Sequence, residues 1–175
     1  MSIISNPQLK TLYDYWLGKK AGRAVPLRAD IDPAELPATV LPHLMILELS
    51  RDDGALQIRF RLTGTDFDQA LGRNPTGEVV SDKLHSNGDY VRYLHDLYGE
   101  LQRNGKPLYS ENLFYLARQA APVRTLRLSL PLSSDGQLID MAITGAIFER
   151  PTHTDPNYAT TLVRFEEVRR HVLAS

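Results

Sequence analysis

An α+β domain with a five-stranded antiparallel sheet, helices on one face and an additional N-terminal amphipathic helix is the fold the sequence predicts. Three observations lead there. Runs of alternating polarity separated by turn residues fall into two groups, a pair before residue 64 and a trio after residue 107. Helical periodicity fills the stretch between the groups and recurs at the start of the chain. No strand-helix alternation suggests a parallel sheet, and no glycine-rich phosphate loop follows a strand.

Asn6 before Pro7 reads as a helix N-cap with proline at the first helical position, and Leu9, Leu12, Tyr13, Trp16 and Leu17 follow at helical spacing. Gly18 to Gly22 ends that helix. Pro26, Pro33, Pro37 and Pro42, with Asp30 and Asp32, enforce turns over the next stretch, because proline lacks an amide donor and restricts the residue before it. Leu44 to Leu49 suits a buried strand, and Asp52, Asp53 and Gly54 turn the chain into a second. There Leu56, Ile58, Phe60 and Leu62 alternate with Gln57, Arg59, Arg61 and Thr63, which predicts one apolar face. Gly64 ends the strand. Thr65 opens a short helix through Leu71, with Asp68 at the position of a capping-box acid.

A longer helix starts near Asp89 and carries Tyr90, Val91, Leu94, Leu97, Tyr98 and Leu101 on one side until Asn104, Gly105 and Pro107. Three strands follow. Leu108 to Leu116 is the first; in the second, Leu126, Leu128, Leu130 and Leu132 alternate with Thr125, Arg127, Ser129 and Pro131. Ile139, Met141, Ile143 and Ile147 define the inward face of the third, which leaves Arg59, Arg61, Arg127, Thr144 and Ala146 on the opposite face. The tail from Tyr158 to Val172 reads as helical.

The 175 residues suffice for one domain with a proper core, and 42% hydrophobic with 23% charged residues is an ordinary globular composition. A formal net charge of -1 provides no basic footprint for nucleic acid. No apolar run reaches the roughly 20 residues that span a bilayer, and the first residues lack the pattern of a signal peptide, so a cytoplasmic location is expected. The absence of cysteine removes disulfides, thiolate metal sites and cysteine nucleophiles.

Tyr13, Asp14, Tyr15 and Trp16 in the first helix, then Pro26, Arg28, Asp30, Asp32 and Pro33, form one group of motif residues. Leu41, Pro42, the run Arg59 to Leu62, Gly64, Thr65, Gly72, Thr76 and Gly77 complete it. With them the chain resembles a family of small stand-alone bacterial PAS-domain proteins over roughly residues 9 to 150. The resemblance implies a PAS-like core over 26–150, with an N-terminal helix over 1–25 that dimerises or caps and a tail over 151–175. It further implies a signalling or sensor module that carries no catalytic apparatus and acts through a protein partner, commonly as a homodimer, with a small ligand in its cavity as modulator.

Phe60, Leu62, Tyr98, Phe114, Leu128, Met141 and Ile143 are the candidate ligand-binding residues between the sheet and the long helix, with tyrosines 90, 98, 109 and 115 as sources of hydroxyls. The competing reading is that these side chains simply fill the core. Leu9, Leu12, Tyr13 and Trp16 are the candidate interface, against the simpler reading of a helix lying on its own domain. Some PAS sensors hold haem through a histidine of the long helix. Here His95 lies roughly 110° from the centre of the apolar stripe, at about 100° per residue, which disfavours haem. A cysteinyl-flavin is disfavoured by the missing cysteine. The five histidines show no pair at metalloprotease spacing, so no metal is expected. The rival reading, a small α+β enzyme, would draw on His85, Tyr109 and Asp140, or on Asp82, His85 and Ser129, but no nucleophile elbow surrounds any serine.

Overall fold

The computed structural model describes residues 3–81, 87–117, 119–149 and 162–174. Helix α1 spans Pro7–Lys19, and the Asn6 carboxamide oxygen accepts the Leu9 amide at 3.1 Å, as the cap motif predicts. The proline-rich connector forms short 3-10 turns at Arg28–Asp30, Pro33–Glu35 and Leu41–His43. Strands β1 (Leu44–Asp52) and β2 (Ala55–Thr63) form a hairpin, turned through Asp53 and Gly54 at φ 46° and 83°. Helix α2 covers Thr65–Leu71 and ends on Gly72 at φ 81°. Its Asp68 makes no capping box; it instead accepts from the Thr63 hydroxyl at 2.6 Å and the Asn74 amide at 2.7 Å. Helix α3 runs Gly88–Asn104, capped by Asn87 and stopped by Gly105 at φ 60°. Strands β3 (Leu108–Leu116), β4 (Val123–Leu132), β5 (Met141–Glu149) and β6 (Leu162–Val172) complete the fold.

All six strands join one sheet in the order β2-β1-β5-β4-β3-β6, with antiparallel neighbours throughout. Among the described residues the sheet therefore has six strands where the sequence predicts five. The extra one is β6, in a tail read as helical. It pairs with β3 from Leu108↔Val172 to Leu116↔Leu162, and bulges at Glu111/Asn112 and Tyr115/Leu116 break its alternation.

As expected, α2 and α3 share one face of the sheet, and the additional N-terminal helix α1 lies on the other. Against one face pack α2 and α3, with Met45, Leu47, Ile58, Phe60, Phe67, Leu94 and Leu97 in a common core. Against the other lies α1, where Leu9, Leu12 and Trp16 meet Leu126, Leu128, Leu130, Leu132 and Ile143. Gly145 makes the close approach possible: a Cβ there would sit 2.6 Å from a Leu9 methyl. Because apolar cover exists on both faces, alternation groups the side chains of a strand correctly but does not say which helix they meet. The apolar sets of β4 and β5 face α1, whereas Arg127, Ser129 and Thr144 face α3. In β2 a bulge opposite Ile46/Leu47 shifts the register, so Leu62 packs on the α1 side while Phe60 stays on the α3 side.

Candidate functional site

The interior between the sheet and α3 is polar at its centre. Tyr90, Tyr93 and Tyr98 lie on the buried stripe of α3, and burial of their rings brings their hydroxyls against the polar side of β3, β4 and β5. There Arg127 is only 2% exposed. Its Nη2 donates to the Tyr90 hydroxyl at 2.7 Å and its Nη1 to the Tyr98 hydroxyl at 3.3 Å. The Tyr98 hydroxyl is also 3.0 Å from the Thr144 hydroxyl, which donates to Ser129 at 3.4 Å. A second branch joins the Tyr93 hydroxyl to Ser110 at 2.7 Å and to the Asn112 amide at 3.2 Å.

An aromatic wall encloses this network. Tyr90 and Tyr93 stack at 5.9 Å between ring centres, and Phe114 meets Tyr90 edge-on at 5.0 Å. Phe165 of β6 closes the cluster, 4.6 Å from Tyr93 and 5.3 Å from Phe114. β6 is held there by Arg170, which bridges to Asp96 and Glu100 of α3 at 2.8 and 2.7 Å.

The electrostatics follow from burial. Desolvation pushes the Tyr93 hydroxyl up to about 12, against the opposing pull of Arg127. Tyr90 is raised for the same first reason, so these phenols are neutral donors and acceptors at physiological pH. Burial works against the Arg127 charge, and the surrounding tyrosine oxygens outweigh it. Among the described residues Arg127 makes no salt bridge to a carboxylate, and its Nε, the Asn112 Oδ1 and the Thr125 Oγ1 have no hydrogen-bond partner. Beside Arg127 lies a gap of about 10 Å³, lined by Met45, Leu47, Phe60, Phe67, Val80, Tyr90, Leu94 and Tyr98. That is room for one water.

The structure divides the candidate ligand-binding residues. Phe60, Tyr98 and Phe114 line the α3 side, together with the gap or its aromatic wall. Leu62, Leu128, Met141 and Ile143 lie on the α1 side, where the reversed facing of β4 and β5 and the bulge in β2 put them. Of the candidate interface, Leu9, Leu12 and Trp16 are buried against the chain's own sheet, with the Trp16 indole donating to the Pro131 carbonyl at 2.8 Å. They are thus not a free surface; Tyr13 alone is half-buried, its hydroxyl donating to the Ala174 carbonyl. His95 is half-buried on α3. Sequence reasoning missed Arg127, Tyr93, Ser110 and Asn112. The available signal was the set of tyrosines on the apolar stripe of α3, whose polar tips require partners across the core.

Among the described residues of the enzyme reading, Tyr109 and Asp140 do not come together. Asp140 accepts the Ser134 amide at 2.8 Å and lines an open groove of about 930 Å³ with Arg51, Arg61 and Arg103. Tyr109 is buried on the α1 side. Asp82 and His85 lie outside the described residues. No group of acids and histidines able to hold a metal occurs among the described residues, and no helix among them is long and apolar enough to cross a membrane.

No curated protein and no solved structure matches the chain. The PAS domain family model matches residues 4–87, which include α1, the connector, the β1–β2 hairpin and α2. PAS domains are generally sensory and not catalytic, and they commonly mediate protein interactions. That match over residues 4–87, with the mixed fold of an antiparallel sheet and its helices, supports a PAS-domain protein.

Proposed function

We propose that this PAS-domain protein is a signalling module in which a small ligand, received between the sheet and α3, biases contact with a protein partner. The observation that supports it most is the buried guanidinium of Arg127, held by tyrosine hydroxyls beside a gap instead of by a carboxylate. A core serving stability alone gains little from such a group, because a buried charge costs several kcal/mol unless it is paired and hydrogen-bonded. The network ties α3 to β3, β4 and β5 through single hydroxyls, so a ligand that takes over one of those bonds has different affinities for the two arrangements. The partner, whether a second copy or another signalling protein, then reads a surface other than the buried side of α1. Neither haem nor a cysteinyl-flavin belongs to this reading.

A native mass spectrum of the protein purified gently from its own host tests the proposal. An added mass that is lost on denaturation supports it. A clean chain mass, in a protein whose melting temperature is also unmoved by the small-molecule fraction of the host, would set it aside.

A further inference from the structure

We infer that the ligand taken beside Arg127 is a small organic monocarboxylate with an apolar body. This rests on the sensor reading and deepens it by naming the chemistry. Arg127 is 2% exposed, its Nε has no partner among the described residues, and its two terminal nitrogens donate to Tyr90 and Tyr98. Those hydroxyls satisfy hydrogen bonds but carry no charge, and no counterion for Arg127 occurs among the described residues. A planar guanidinium fork matches a carboxylate in two parallel, charge-assisted hydrogen bonds. One guanidinium balances one negative charge; a dianionic phosphate would enter with half its charge unmatched.

The rest of the lining sets the other half of the ligand. Met45, Leu47, Phe60, Phe67, Val80 and Leu94 offer no further charge, so whatever extends from the carboxylate is hydrocarbon or an aromatic ring. The gap of about 10 Å³ is too small for such a body. Room is gained on the α2 side. Phe67 is carried by a helix of seven residues that ends on Gly72, and it meets Phe60 in a tilted contact at 5.4 Å. Val80 follows a segment joined to the sheet edge through the bridge of Arg59 with Val79. Outward displacement of Phe67 opens the space without breaking the six-stranded sheet.

The probes are hexanoate and benzoate, titrated calorimetrically into the full chain at pH 7, with hexanamide and benzamide as uncharged counterparts. The carboxylates are expected to bind at least tenfold more tightly than the amides, and Arg127→Met to abolish the difference. Phe67→Ala keeps the charge and enlarges the space, so it is expected to favour octanoate over hexanoate relative to the wild type, whether or not Arg127→Met folds. Equal binding of amides and carboxylates would overturn the carboxylate inference and leave the sensor reading standing. Absence of carboxylate binding alongside an extra mass in the native spectrum would do the same. Absence of both would overturn the two together.

Discussion

Tyr93 and Arg127 stand on opposite sides of the same core and respond to burial differently. The phenol avoids charge: its raised value of about 12 keeps it protonated. A group that holds its proton more tightly when folded contributes stability that is complete below its unfolded value near 10 and is lost as pH rises through the folded value. Urea denaturation between pH 9 and 12 should therefore show stability falling across that window, and Tyr93→Phe should remove on the order of 2 to 3 kcal/mol of the fall, at 1.36 kcal/mol per unit. An unchanged slope in the variant would mean the hydroxyl is solvated. Arg127 cannot take this route and stays charged. In the sequence it stands between Leu126 and Leu128 on the polar side of an alternating strand, which reads as a solvent face. The alternation is real; the cover over that face comes from α3, and no local pattern announces it.

At the scale of elements, the two helices with strong caps were legible because their signals are local. Asn6 with Pro7, and Gly105 at its positive φ, act within one turn of the helix they bound. β6 was not legible: its charges alternate irregularly across two bulges, and its partner β3 lies about fifty residues earlier in the chain. Charged edge strands of this kind resist pairing with other chains, and they also resemble solvent-facing helices. The β2–α2 junction makes a sharper prediction. A Cβ on Gly64 would lie 2.3 Å from the Pro42 carbonyl oxygen, a backbone atom. Gly64→Ala should cost about 1 to 3 kcal/mol in chemical denaturation. Gly18→Ala in α1, where the added methyl meets nothing within 4 Å, should raise stability by up to about 1 kcal/mol. For α1 as a whole, Trp16 is the anchor. Trp16→Ala is expected to lose about 3 to 5 kcal/mol of folding stability. A variant that kept its melting temperature and changed only its oligomeric mass would show Trp16 acting between chains.

Over the whole molecule, the sheet is a partition between two interiors. The α1 side is apolar, carries the Trp16 anchor and is closed by the N-terminal helix. The α3 side holds the tyrosine and arginine network, closed by Phe165 from the last strand. The PAS domain match covers residues 4–87, whereas Arg127 and the tyrosines it bonds, Tyr90 and Tyr98, come after it. The polar network is thus formed by residues outside the matched span, while Met45, Leu47, Phe60, Phe67 and Val80 of the gap lie within it. A side-chain arginine ¹H–¹⁵N spectrum reads directly whether Arg127 receives a ligand. The Arg127 Nε resonance is assigned by its loss in Arg127→Lys, and spectra are recorded with and without the small-molecule fraction of the host. This signal is expected to shift while those of Arg51 and Arg92 at the surface stay in place; an Arg127 signal unmoved by that fraction would show that Arg127 receives nothing from it.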